Sequence, residues 1–313
     1  MDTNFDVVIV GAGPAGLSAA LILGRCRRRV LICDAGHPRN AASQALHGYL
    51  TRDGIEPTEL LRVGREQLQP YTTVEVRADE VTAARRADAG FEITINKDET
   101  VSSRKLLLAT GVIDCLPDIE GLKQFYGRSV FHCPYCDGWE LRDQPIAIYG
   151  RENRGFGLAL ELTGWSRDLT LCTDGPAELS VAERKQLLEL NIQVREERIA
   201  RLEGNDGLLK QIVFANGETL ARRGMFFNTG QDQRCDLAAR LGCEFTERGA
   251  VRTGDYEMTN VPGLFVAGDA SRAVQLAIVA AAEGAEAAFA INKALIKEDL
   301  TQLSKPESSI TEI

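Results

Sequence analysis

The chain has 313 residues, of which 44% are hydrophobic and 26% charged, and a formal net charge of -9. That length suffices for two domains with a core each, in the balance of a soluble globular protein. The acidic balance excludes nucleic acid as a general partner, because phosphate binding calls for a basic surface.

At the amino terminus Asn4 and Asp6 flank Phe5, and the apolar stretch over 7–10 ends at Gly11. Neither a signal peptide nor a membrane span is expected, which points to the cytoplasm. In that reducing compartment eight cysteines are mostly free thiols, and a Cys-x-x-Cys pair is catalytic rather than a structural staple.

Residues 5–10 form a β-branched run that feeds into Gly11-Ala12-Gly13-Pro14-Ala15-Gly16. A helical pattern over 17–23 and a second apolar run over 30–33 follow, the latter ending at Asp34. Strand, glycine turn, helix, strand and acid in this order predict a dinucleotide-binding unit. Gly11 makes the tight turn, Gly13 lets the backbone approach a pyrophosphate, Gly16 allows close packing, and Asp34 is placed for a ribose hydroxyl. Arg25, Arg27, Arg28 and Arg29 read as the solvated end of the helix. The polar turn over 35–40 adds Arg39 and Asn40 as candidate cofactor contacts, and His47 reads as a structural histidine. Residues 55–69 predict an amphipathic helix, and 74–76, 81–83 and 91–95 alternate like antiparallel strands. The apolar run over 106–108 ends in the turn Ala109-Thr110-Gly111.

The chemistry is expected at Phe131-His132-Cys133-Pro134-Tyr135-Cys136-Asp137-Gly138-Trp139. Cysteines two residues apart can close a small disulfide ring, and the Asp137 carboxylate can move a proton as a thiolate leaves or attacks. Half of a zinc site would need further ligands. Cys26, Cys33, Cys115, Cys172, Cys235 and Cys243 are isolated, and the three histidines have no metal-ligand spacing. The pair therefore reads as a redox pair, with no metal.

Over nearly its whole length the chain resembles the low-molecular-weight thioredoxin reductase family of FAD-dependent disulfide oxidoreductases. The resemblance is carried by Gly11 to Gly16, Ala109-Thr110-Gly111, Cys133-x-x-Cys136-Asp137-Gly138, and Ala267-Gly268-Asp269 with Gln275 beyond. It implies an α/β fold of two Rossmann-like, three-layer domains. One is a discontinuous FAD-binding domain over 1–113 and 249–300. The other is a central redox-disulfide domain over 114–248 with a degenerate NAD(P)H-binding fold, and a mobile tail follows over 301–313. The turn Asn228-Thr229-Gly230-Gln231 is the expected hinge. By the same resemblance Cys136 faces the flavin, Cys133 exchanges with the substrate, Asp137 is the acid/base group, and Asp269 accepts from a ribityl hydroxyl. Val274 stands where the family usually carries an arginine. A helix is expected over 275–296.

Two departures bear on the electron donor. In Gly150-Arg151-Glu152-Asn153-Arg154-Gly155 a carboxylate stands where the second glycine should admit a pyrophosphate, opposing phosphate by size and charge. After the strand over 169–173 the chain reads Asp174-Gly175, with no local cation for a 2′-phosphate. These departures resemble the NADPH-independent branch of the family, with its ferredoxin-linked, diflavin-linked and dithiol-oxidase-like members. NADPH and NADH are both doubtful, and a second flavin could contact Arg151 and Arg154. The expected substrate is a thioredoxin-like protein or a small disulfide or dithiol, with ferredoxin as a candidate donor and a homodimer as the expected assembly. The alternatives are a dithiol oxidase that gives electrons to oxygen, and a non-catalytic flavoprotein redox sensor.

Overall fold

The computed structural model describes residues 4–304, which fall into two compact units. The first takes in the chain up to Pro38, Thr58–Val112, and the chain from Gln233 onward; the second comprises Arg39–Pro57 and Ile113–Asp232.

In the first unit β1 (Asn4–Val10) leads through α1 (Pro14–Arg25) to β2 (Val30–Cys33). After α2 (Pro57–Glu66) come β3 (Val74–Arg77), β4 (Val81–Ala87), β5 (Gly90–Ile95) and β6 (Glu99–Leu108). The sheet order is β3-β2-β1-β6-β5-β4. β1 lies parallel between β2 and β6, with Val7 opposite both Val30 and Lys105. Layers cover both faces of these central strands, so they read as continuous apolar runs rather than alternating ones. β3 pairs parallel with β2, not antiparallel as its alternation suggests, because it arrives by a crossover through α2. β4 and β5 are antiparallel as expected.

The chain then passes through β7 (Val112–Asp114) into the second unit, where α3 (Leu122–Phe125), β8 (Val130–Phe131) and α4 (Pro134–Asp137) precede β9 (Ile146–Tyr149). α5 (Glu152–Leu162), β10 (Leu169–Cys172), α6 (Val181–Glu189) and β11 (Gln193–Arg195) follow. Next come an antiparallel trio, β12 (Ile199–Asn205), β13 (Leu208–Phe214) and β14 (Thr219–Ala221), and then β15 (Gly224–Phe227). The main sheet runs β11-β10-β9-β15-β8, all parallel. Each unit is thus a doubly wound α/β layer structure.

The return crossing lies at β16 (Gln231–Gln233), next to the expected hinge but before the expected boundary at 249. The residues between belong to the first unit. α7 (Leu237–Arg240) buries Leu237 and Ala238, and with Leu241 and Cys243 they join the core around Phe5, Val8 and Ile93. β17 (Leu264–Val266) pairs parallel with β6. α8 (Ala277–Leu303) packs along α1, and Gly284 is required there because a Cβ would overlap the Ala15 carbonyl. α8 continues past 296, so residues 301–303 are helical rather than part of a mobile tail. The remainder of that expected tail, 305–313, lies outside the described residues. Among the described residues no helix is long and apolar enough to cross a membrane.

Candidate active site

The first glycine turn sits at the carboxyl end of the parallel sheet of the first unit. The Gly11 N–H donates to the Cys33 carbonyl (2.8 Å), and Gly11 has φ +103°. A Cβ on Gly11 would overlap the Ala109 carbonyl, and one on Gly16 would overlap the Gly11 carbonyl. A Cβ on Gly13 would have nothing within 4 Å. Thus the outer glycines serve the packing of the corner, and Gly13, the N-cap of α1, borders open space. Pro14 takes the first helical position and Ala15 is buried. No acidic residue lies in the first turn of α1, so its positive end suits an anion. These features fit the pyrophosphate of a dinucleotide.

Asp34, at the end of β2, accepts from the Ala12 N–H (3.2 Å) and pairs with Arg65 (2.6 Å). Ala109 donates its N–H to Val10 (2.8 Å), Thr110 is hydrogen-bonded to Cys235, and Gly111 turns the chain with φ +67°. Gly268, with φ +81°, lies at the end of β17 with Asp269 beside it. The Gln275 amide donates to the carbonyls of Asp269 and Arg272, both at 3.2 Å, which closes that turn. The structure thus gathers Gly11 to Gly16, Asp34, Ala109 to Gly111 and Gly268 to Gln275 in one unit.

Arg39 and Asn40 belong to the second unit. There the Arg39 guanidinium binds Asp114 through two hydrogen bonds (2.5 and 3.0 Å) and also reaches Gln231 (3.3 Å). Tyr126 donates to Asp114 (2.8 Å), and His132 approaches both at 3.4 and 3.8 Å. Burial works against ionisation of Asp114, but the Arg39 hydrogen bond, the His132 charge and the Tyr126 hydroxyl outweigh it and hold its carboxyl below the ordinary range. Nothing in the sequence spacing marks this network, because its members come from four separate segments.

Cys133 and Cys136 are joined as a disulfide, with Cα atoms 5.3 Å apart. Cys133 is the N-cap of α4 in extended conformation, and Cys136 lies in the single turn that follows, so the i, i+3 spacing brings both to one face. Gly138 is required because a Cβ would overlap the Pro134 carbonyl and press on the Trp165 ring. Trp165 meets Tyr135 edge to face at 5.5 Å. Tyr135 and Trp139 stand out, 67% and 65% exposed, and Arg142 stacks over Trp139 at 4.2 Å. Burial, aided by the neighbouring Glu140 charge, pushes the Asp137 carboxyl up to about 7. It is therefore able to take or give a proton near neutrality. His47 lies between Asp53 (3.6 Å) and Glu140 (3.5 Å).

In the second glycine turn the outer positions again pack corner to corner: a Cβ on Gly155 would overlap the Gly150 carbonyl. The middle position is Glu152, exposed, with φ +50°. It opens α5 and puts a carboxylate in the first turn, while its N–H donates to the Ala177 carbonyl (3.3 Å). The expectation that no cation stands near Asp174 needs correction. Arg151 and Arg198 lie 3.7 and 3.6 Å from its carboxylate, brought there from the glycine turn and from the segment before β12. The Arg151 guanidinium also caps the Thr173 carbonyl (2.7 Å) and the Asp174 carbonyl, lying over Gly175. The Asp174 carboxylate is engaged by the Ile199 N–H (2.7 Å).

Of the remaining cysteines, Cys33 and Cys172 are pushed up to about 12 by burial, and burial also raises Cys235 and Cys243. No group of three or more His, Cys, Asp or Glu suited to a metal occurs among the described residues.

Residues 5–284 match the family model described as pyridine nucleotide-disulphide oxidoreductase. Thioredoxin reductase sirT of Leptosphaeria maculans is 32% identical over 96% of this chain and 97% of its own. Among solved structures, that of HlmI superposes with a TM-score of 0.92 at 36% identity, covering 97% of this chain and 96% of that one. An oxidoreductase from Agrobacterium tumefaciens superposes with a TM-score of 0.88 at 33% identity, covering 95% and 99%.

Proposed function

This chain belongs to the pyridine nucleotide-disulphide oxidoreductase family as a thioredoxin-reductase-like flavoprotein, and from that premise we propose an FAD-dependent thiol-disulfide oxidoreductase that does not draw electrons from NADPH. The observation that carries the donor reading is Glu152. A carboxylate at the middle position of the turn, with the adjoining N–H already bonded to Ala177, opposes a pyrophosphate by charge and removes one of its donors. Arg151 and Arg198 supply positive charge nearby but leave that obstacle in place.

FAD would be held by Gly11, Gly13, Pro14, Ala15 and Gly16 at the pyrophosphate, Asp34 at the ribose, Ala109 to Gly111 beside them, and Gly268, Asp269 and Gln275 toward the flavin. The flavin supplies two-electron exchange with the cysteine pair. In the reducing direction the Cys133 thiolate attacks a substrate disulfide, breaking its S–S bond and forming a mixed disulfide. Cys136 then attacks Cys133, restoring the internal disulfide and releasing the substrate as a dithiol. Asp137 gives the proton to the departing thiolate, a role that suits an acid poised near neutrality.

The substrate is a thioredoxin-like protein or a small disulfide, and the donor is ferredoxin or a second flavin. Arg28 at the basic cluster is tied to Asp299 (2.8 Å), which reduces the patch available to an acidic donor. The alternative is the reverse direction, a dithiol oxidase passing electrons to oxygen. A homodimer is supported by the exposed Phe289, Ile296, Leu300 and Leu303, at helical spacing on α8.

The test is an anaerobic titration of the yellow protein with NADPH, NADH and then dithionite, following flavin bleaching. Bleaching by dithionite alone is expected; rapid bleaching by NADPH overturns the donor reading. Oxygen uptake with an added dithiol then decides the direction.

A further inference from the structure

Behind the Gly268 turn lie two carboxylates and one guanidinium that the redox chemistry does not use. Glu257 is fully buried and Glu283 nearly so, and Arg272 reaches both, at 2.6 and 2.7 Å. Glu257 follows Tyr256 in a turn where both residues have positive φ, +54° and +63°. Such a conformation is costly for side-chain-bearing residues and persists only where surroundings fix it. Glu283 reaches back from α8 and accepts the Gly268 N–H at 2.7 Å. Gly268 lies close to α1 as well: a Cβ there would stand 3.2 Å from that of Ala15 and 3.5 Å from that of Ala280. The Gly268 turn, the start of α1 and the inner face of α8 therefore meet beside one carboxylate.

We infer that Glu283 is a proton-linked positioning residue for the flavin site: as a carboxylate it grips the Gly268 N–H and holds Asp269 toward the cofactor, and protonation loosens that grip. A charge-assisted hydrogen bond is about twice as strong as a neutral one, so the turn is held less firmly in the acid form. The charged groups that act on Glu283 are Glu257 from the strained turn and Arg272 from the loop before α8, while Glu286 acts on Glu257. On the α1 side Ala15 lies closest to Gly268 and Gly284. Two buried carboxylates share one guanidinium, so one of them is short of a counter-charge. Burial pushes Glu283 up to about 7, with Glu257 adding to the rise. The grip thus tightens as pH rises through neutrality.

The inference rests on the flavin reading of the Gly268 turn. Its test is FAD release from the holoprotein on serial dilution, read as the rise in flavin fluorescence, at pH values from 6 to 8. About tenfold tighter retention at pH 8 than at pH 6 is expected, the factor that separates a charged from a neutral hydrogen bond. Glu283→Gln keeps an acceptor but cannot titrate, and should give a flat profile. Glu257→Gln removes the like charge and should move the midpoint to lower pH. Independence of pH in the parent, tighter retention at low pH, a pH-dependent Glu283→Gln profile, or an unmoved midpoint in Glu257→Gln would each overturn the inference. Absence of any FAD binding would overturn the flavin reading with it.

Discussion

The turns over 11–16 and 150–155 use their outer glycines alike. In each, the last glycine packs so tightly on the first that a Cβ would overlap a carbonyl, so both corners keep the strand-to-helix geometry. They part at the middle position. Gly13 borders open space at the positive end of α1, whereas Glu152 fills its place with a carboxylate and commits its N–H to Ala177. Retention of the corner therefore says nothing about retention of the ligand. The outer glycines report the fold and the middle one reports the phosphate.

The sharpest way to break this contrast is to copy the second turn into the first. A Cβ at Gly13 meets nothing within 4 Å, so Gly13→Glu should leave the unit folded. A carboxylate about 4 Å from a phosphate costs about 4 kcal/mol in a partly solvated setting, about a thousandfold in affinity. FAD content after purification and melting temperature, measured together, separate lost ligand from lost fold. The complementary change is Gly155→Ala, which should destabilise the second unit by about 3 kcal/mol through the overlap with Gly150. FAD content should be unaffected, and denaturant unfolding of the holoprotein checks both points.

A third prediction concerns the disulfide that the second unit still presents. Asp137→Asn should lower the exchange rate about a hundredfold, the usual contribution of a positioned acid or base. The pH profile carries the sign. With its carboxyl raised to about 7, Asp137 is protonated below neutrality and ionised above. If it acts as an acid for a leaving thiolate, the parent rate falls as pH rises through about 7. If it acts as a base for an incoming dithiol, the rate rises over the same window. The Asn variant should show neither limb.

How much of this was legible depends on how far apart the partners lie in the chain. The glycine turns, Asp34, the Cys133/Cys136 pair and the acid beside it are readable because each is set by neighbours within a few residues. So is the alternation of strand and helix that gives the parallel sheets. β3 is parallel because of the crossover before it, which its own alternation cannot report. Arg198 at Asp174, Arg39 at Asp114 and Arg272 between Glu257 and Glu283 are pairs formed by folding. A charged residue in a sequence carries no mark of the partner that will meet it. The expected boundary at 249 falls later than the crossing at β16 for a related reason: Leu237 and Leu241 look like any short amphipathic helix until the core they enter is known.

Repairing the second turn is the smallest change and the most informative. Glu152→Gly removes a carboxylate from the first turn of α5 and relieves a residue held at φ +50°, so stability should hold or improve by about 1 kcal/mol. Positive charge is already in place, with Arg151 and Arg198 beside Asp174. If the middle position alone closes the site, the variant should bind NADPH about fivefold more tightly than the parent, the value of about 1 kcal/mol for one removed like-charge contact at a solvated surface. Adding Arg198→Ala should then erase any preference for NADPH over NADH. Quenching of intrinsic fluorescence by each nucleotide reads both steps. No gain in Glu152→Gly would move the obstacle to Arg151, whose guanidinium lies over Gly175 and caps the carbonyls at the end of β10. In that case the second unit has filled its nucleotide site from its own side chains, and the glycine that is missing follows from that closure.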